Sequence, residues 1–235
     1  MNNLIGIYNE LKERNRKIVM EGKLKIDDVL FQVGEDIDTR YCLAVSAIFQ
    51  KKKSKINKYY FDLLNDIENI KGVHYYIENN NKLEGTAHFT LLQIIGFDQF
   101  NINEIKGREQ EYVEIIKDEL SKIVPFRIHF MNVVAFSSGL AILGYPTVNI
   151  NTVRDNIRKR LNDNNLPLKE PYYNNIIHST ILRLIENIDH NQLINIMDKY
   201  NKSYFGFIEV NMDSFFIGYG TWKLNEYEII EIKNK

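Results

Sequence analysis

The chain has a single cysteine, Cys42, among its 235 residues, which excludes an internal disulfide and any multi-cysteine metal site. Cys42 lies in the apolar run 41–49, where a buried, inert thiol is expected. Excess charge is missing as well. The 30 basic and 31 acidic residues leave a formal net charge of −1. A protein that grips long duplex nucleic acid through many phosphates needs a clear basic excess, so that class is set aside. A short or small phosphorylated ligand held by a few local cations is still allowed. The N-terminus lacks the basic region and long apolar stretch of a secretory signal. The longest apolar region, residues 126–148, is broken by Arg127, His129, Asn132 and Ser137-Ser138, too polar for a membrane span. The expectation is a soluble, cytoplasmic protein with no membrane partner. No Gly-x-x-x-x-Gly-Lys phosphate loop occurs, nor any linker, low-complexity tract or short-period repeat.

What is present is an ordinary globular composition, 44% hydrophobic and 26% charged, in a chain long enough for one large domain or two intimate lobes. Residues 4–20 are charged and weakly amphipathic and read as a helix lying on the main body; 22–38 are polar and undecided. Residues 41–49 read as a buried strand. A turn at Lys51-Lys52-Lys53 leads to a helix over 55–70, which Ser54 could cap, with Tyr59, Leu63 and Ile67 on one face. A short strand (73–77), a polar loop and a second apolar strand (87–95) follow. The order then recurs: a helix over 108–123 ended by Pro125, a hairpin (126–136 and 139–144), a helix over 151–162 with Thr152 as a possible cap, and an apolar strand over 176–184. A helix (189–200) and two or three strands (206–212, 214–218, 226–232) complete the chain. Strand, helix and apolar strand thus occur twice, which predicts a duplicated α+β architecture.

Both apolar strands carry the same tripeptide. His88-Phe89-Thr90 and His178-Ser179-Thr180 each have the form His-x-Thr, each is followed by an aliphatic residue (Leu91, Ile181), and their histidines stand 90 positions apart. In a strand, residues i and i+2 share a face, so each motif sets an imidazole beside a hydroxyl. One such tripeptide means little in a chain with five histidines. Two, on matched strands, suggest a symmetric site facing a cleft.

These residues give the chain its resemblance to a known family, the two-histidine (2H) phosphoesterases. The family includes RNA 2′,5′-ligase or cyclic phosphodiesterase proteins and phage enzymes that hydrolyse cyclic oligonucleotide signals. His178-Ser179-Thr180-Ile181-Leu182-Arg183 resembles the family's second motif, His-x-Thr-aliphatic-x-Arg, and His88-Phe89-Thr90-Leu91 resembles the first. The hairpin over 126–145 and the helix over 154–161 are similar to the lead-in to the second motif. The resemblance covers residues 38–235 and implies one two-lobed domain of mainly antiparallel sheets facing a central cleft, helices outside. Residues 1–37 form an extension it does not explain. It implies catalysis by His88, Thr90, His178 and Thr180 on a small cyclic nucleotide or a short cyclic or 2′,5′-linked oligonucleotide, without metal or other cofactor. The alternatives are a nucleotide-binding module with little turnover, or RNA 2′,5′-ligase activity. The oligomeric state is open.

Elementary chemistry agrees with the family's catalytic pair. Cleaving a phosphodiester without metal needs one group to take a proton from the attacking hydroxyl and another to give one to the leaving oxygen. Histidine, with an unperturbed pKa near ~6.5, can do either. The threonines can donate to non-bridging oxygens as charge builds. Arg183 follows His178 by five positions, so strict alternation aims it away from the cleft; a bulge would reverse this, and a structural ion pair is the other reading. Tyr145, Tyr172, Tyr173 and Trp222 are candidates to stack on a base, and Arg40 to reach phosphate, each against a simpler packing or surface role. His74, His129 and His190 read as structural, with His190 at a helix start beside Asp189.

Overall fold

Two antiparallel sheets, each containing one His-x-Thr strand, form the body of the protein. The computed structural model describes residues 2–27, 41–49, 54–75, 88–220 and 228–230. The smaller sheet comprises β1 (Cys42–Ile48), β4 (His88–Ile95), β9 (Phe215–Gly220) and β10 (Glu228–Ile230), in the order β10-β9-β1-β4. The larger comprises β2 (Ser54–Ile56), β3 (Val73–Tyr75), β5 (Phe126–Phe136), β6 (Gly139–Pro146), β7 (Ile177–Leu184) and β8 (Tyr204–Val210), in the order β2-β8-β5-β6-β7-β3. Helices are α1 (Asn2–Met20), α2 (Lys58–Glu68), α3 (Ile102–Ile105), α4 (Glu109–Ser121), α5 (Ile150–Asp163) and α6 (His190–Lys199). The mixed α+β class expected from the sequence is what the chain adopts.

Within each sheet the motif strand runs antiparallel to a lead strand that precedes it by a helix. β4 pairs with β1, and β7 with β6. The two halves are interleaved, however. β2 and β3 leave the first half and add to the larger sheet, beside β8 and β7 respectively. This displaces the predicted helix start. Ser54 is held in the ladder opposite Ile208, and Asn57 caps α2 instead by accepting from the Tyr59 backbone N–H. The helix also turns a different aromatic inward: Tyr60 packs with Leu63, Leu64 and Ile67, while Tyr59 is exposed. In α5 the cap is Asn149, whose side chain accepts from the Thr152 backbone N–H, so Thr152 is the recipient of the cap and not its source.

One hydrophobic core joins the two sheets to the outer helices. Phe49 at the end of β1 meets Phe130 of β5 with ring centroids 4.8 Å apart, and Phe215 of β9 contacts Phe89 and Phe126. A smaller cluster sits under α1, where Tyr8 and Leu11 pack on Val134 and Leu143. Leu143 lies opposite His178 in the β6–β7 register. Directly opposed residues of an antiparallel pair project to one face. Helix α1 therefore packs on the same face of the larger sheet that carries the second motif. Its fit is polar as well as apolar: the buried Tyr8 hydroxyl donates to the Gly144 carbonyl (2.6 Å) and accepts from the backbone N–H of Ile177 (2.9 Å), the residue before His178. After α1, the chain adds backbone bonds from Lys25 to Ser137 and from Asp27 to Leu184. None of the described helices is long and apolar enough to cross a membrane.

Candidate active site

Each motif strand carries a bulge at the same place. In the β1–β4 register Ser46 faces Thr90 and Val45 faces Leu92, so Leu91 has no partner. In the β6–β7 register Ala141 faces Thr180 and Leu140 faces Leu182, so Ile181 has none. An extra residue reverses the alternation beyond it. Exposure follows suit: His, Thr and the fifth residue after the His are partly exposed in both strands, and the residues between them are buried. The fifth residue is Gln93 in β4 and Arg183 in β7. The bulge that would bring Arg183 to the histidine face is present.

The two faces line one cavity of about 130 Å³, which collects His88, Thr90 and Gln93 from the smaller sheet with His178, Thr180 and Arg183 from the larger. Tyr172 and Asn174, from the loop before β7, complete its wall with Ala44 and Phe97. Ser46 donates to the Thr90 hydroxyl oxygen (3.3 Å), which leaves the Thr90 proton available to a ligand. The Phe136 ring stacks on the His178 imidazole at 4.5 Å and sets its plane. Burial, then the charges of Arg183, His88 and Arg154, pull the His178 pKa down to about 3, so this ring is neutral near pH 7. Arg183 donates to the Ser138 hydroxyl (2.6 Å) and lies 3.8 Å from the Asp27 carboxylate, so its position is fixed from two sides while it lines the cavity. Both sequence readings of Arg183, cleft residue and ion-pair member, describe the same side chain.

A buried arginine joins the two motif strands. Arg154 of α5 is fully buried; its Nε donates to the Leu91 carbonyl (2.6 Å), one terminal nitrogen to the Ile176 carbonyl (2.7 Å) and the other to Asn151 (2.8 Å). Leu91 is the bulged residue of β4, and Ile176 lies just before β7. Burial lowers the Arg154 pKa to about 10, so the guanidinium remains charged at neutral pH. The loop carrying Tyr172 and Asn174 is braced by Arg158, which holds Glu170 through two bonds (2.6 and 2.9 Å) and reaches the Asn174 carbonyl.

Of the other sequence candidates among the described residues, only Tyr172 reaches the cavity. Tyr145 does not line it: its ring packs edge-on against Tyr8 at 4.7 Å, and its hydroxyl accepts from Asn132. Strand parity puts Tyr145, two positions beyond Leu143, on the face that carries His178, but α1 covers the sheet there. Tyr173 spends its ring on the Arg158 guanidinium (4.2 Å) and its hydroxyl on Asp155. Arg40 and Trp222 lie outside the described residues. His129 approaches the Tyr204 hydroxyl, and His190 begins α6 next to its cap, Asp189. Sequence reasoning missed Gln93, Asn174 and Arg154. The matching offset of Gln93 and Arg183 from their histidines was the available signal for the first; nothing local marked the others. Among the described residues no three His, Cys, Asp or Glu side chains gather as a metal-ligand cluster. No protein-family model matches the chain, and no curated protein matches it significantly.

Proposed function

We propose that this protein is a 2H phosphoesterase with the duplicated, two-lobed architecture of that family, and that it cleaves a phosphodiester in a small cyclic nucleotide or a short cyclic or 2′,5′-linked oligonucleotide without a metal ion. The observation that carries the reading is that two strands from separate sheets, bulged at the same position, present His and Thr into one cavity. In the proposed reaction neutral His178 takes the proton from a water or ribose hydroxyl as that oxygen bonds to phosphorus. The bond from phosphorus to the leaving oxygen breaks, and His88 supplies that oxygen with a proton. Thr90 and Thr180 donate to the non-bridging oxygens, and Arg183 balances the added negative charge. A bound phosphodiester also offsets the field of Arg183 on His178, which raises that imidazole toward the range in which it works as a base.

The test is a panel of 2′,3′-cyclic mononucleotides, cyclic oligonucleotides, and 2′,5′- and 3′,5′-linked oligomers, assayed with EDTA. At least one is cleaved with EDTA present, and His88→Ala and His178→Ala each lose roughly 10²-fold or more in kcat, the smaller contribution expected of one acid or base. Full activity in either variant, or loss of activity on chelation, overturns the proposal. Tight nucleotide binding with no product from any substrate makes the protein a binding module instead.

A further inference from the structure

The histidine cavity opens beside a larger one. At about 130 Å³ the first holds a phosphodiester group and little else, below the ~300–1,000 Å³ of ordinary ligand sites. The second, about 380 Å³, shares Tyr172, His178, Thr180 and Arg183 with it and is lined in part by Arg14, Asn15 and Ile18 of α1. Its composition is selective. Phe136, Tyr172, Ile18 and Leu24 supply apolar and aromatic surface, while Arg14 and Arg183 stand among the lining residues with no carboxylate. Arg14 is an exposed side chain whose Nε donates to Asn15 (3.2 Å), and among the described residues it forms no ion pair. Asn15 is buried and donates in turn to the Ala135 carbonyl, so this part of the helix is fixed on β5. Tyr172 is 60% exposed although large and aromatic, an unspent surface at the junction of the two cavities.

We propose that the N-terminal helix builds a nucleoside subsite, in which the base of a substrate lies against Tyr172 and Phe136 while Arg14 holds a second phosphate. This rests on the phosphodiesterase reading and narrows it. The preferred substrate carries at least two phosphates on one nucleoside, as every internal nucleotide of an oligonucleotide does, and a 2′,3′-cyclic mononucleotide leaves Arg14 unused. The extension that the family resemblance leaves unexplained is thereby part of substrate recognition. Its aromatic contacts suit any base, because each base presents a π-face; its two arginines, one on α1 and one on β7, set the spacing of the phosphates.

The proposal is tested by calorimetric binding of three probes to the full chain: inorganic phosphate, adenosine 5′-monophosphate and adenosine 3′,5′-bisphosphate. Each step in that series tightens binding by roughly fivefold or more, the weaker end of what one stack or one charge-assisted contact provides. Tyr172→Ala cancels the gain from phosphate to monophosphate, and Arg14→Gln cancels the gain from monophosphate to bisphosphate. Both positions are exposed, and unchanged thermal melts identify folded variants. Equal affinities for the three probes, absence of nucleotide binding, or full gains in both variants overturns the subsite. Hydrolysis of a diester with a flat series refutes the subsite alone. A rising series without hydrolysis of any diester refutes the catalytic reading alone.

Discussion

Replacing Arg154 by methionine removes the clamp between the motif strands while keeping a side chain of similar length. The guanidinium now satisfies the Leu91 and Ile176 carbonyls at 2.6 and 2.7 Å from a fully buried position. Without it those two acceptors lose a donor, at roughly 1–3 kcal/mol each, so about 2–6 kcal/mol in total. Asn151 is partly exposed and can turn to water, so its lost bond counts for little. Against this stands the relief of no longer burying a charge, the same burial that lowers the Arg154 pKa. A net loss of about 2–4 kcal/mol follows, a large share of the ~5–15 kcal/mol that holds a typical domain together. Urea unfolding at pH 7, followed by circular dichroism, measures it. Arg154→Lys keeps the charge but not the planar fork that reaches two carbonyls at once, and falls between wild type and methionine. Because the clamp spans both motif strands, kcat also falls at temperatures where the variant is fully folded. A methionine variant within about 1 kcal/mol of wild type would refute the reasoning, since the two carbonyls would then have to be satisfied without the arginine.

Two further predictions concern the second motif. His178 has a folded pKa of about 3 against an ordinary 6.5, so between these values the unfolded chain binds a proton that the folded chain does not. Stability therefore rises with pH across that window and is flat above it. His178→Asn removes a slope of up to ~1.4 kcal/mol per pH unit from urea titrations run between pH 4 and 6, and Arg183→Gln, which removes one cause of the depression, shortens the window from its acidic end; an unchanged slope in His178→Asn contradicts the shift. Ser179, the middle residue of its motif, is buried with no hydrogen-bond partner for its hydroxyl among the described residues. Ser179→Ala is accordingly neutral or stabilising by about 1 kcal/mol in the melt, and a loss of more than that amount would show that the hydroxyl is engaged.

The parts of this structure legible from sequence are those governed by local periodicity. The apolar strands around both motifs, the hairpin turning at Ser137-Ser138 and the helices that follow were readable because hydrophobic spacing is a local property. The histidine and threonine of each motif share a face for the same reason. What escaped depended on distant chain. Ser54 would have been an adequate cap had β8 not claimed it for a ladder. Thr152 lost the same role to Asn149, three residues earlier, by a choice too fine for residue preferences. Tyr145 is taken from base stacking by α1, whose Tyr8 packs on its ring. Arg183 was decided by one extra residue in a strand, which no periodicity announces. Nothing within its own helix marks Arg154, since both carbonyls it serves belong to other elements.

The paired bulges bear on how such a protein can change. The two halves have almost no sequence in common beyond the tripeptides, yet both strands skip a partner at the same step, Leu91 in one and Ile181 in the other. Side-chain identity around the cleft is thus free to drift, provided that the bulge between threonine and the fifth position is kept. Drawing either skipped residue into the ladder, with the chain length unchanged, would swing Gln93 or Arg183 into the core, a polar or charged group where only apolar ones fit. The one difference retained at the matched position, an amide in one strand and a cation in the other, makes the cleft directional, so that a ligand entering it has a front and a back.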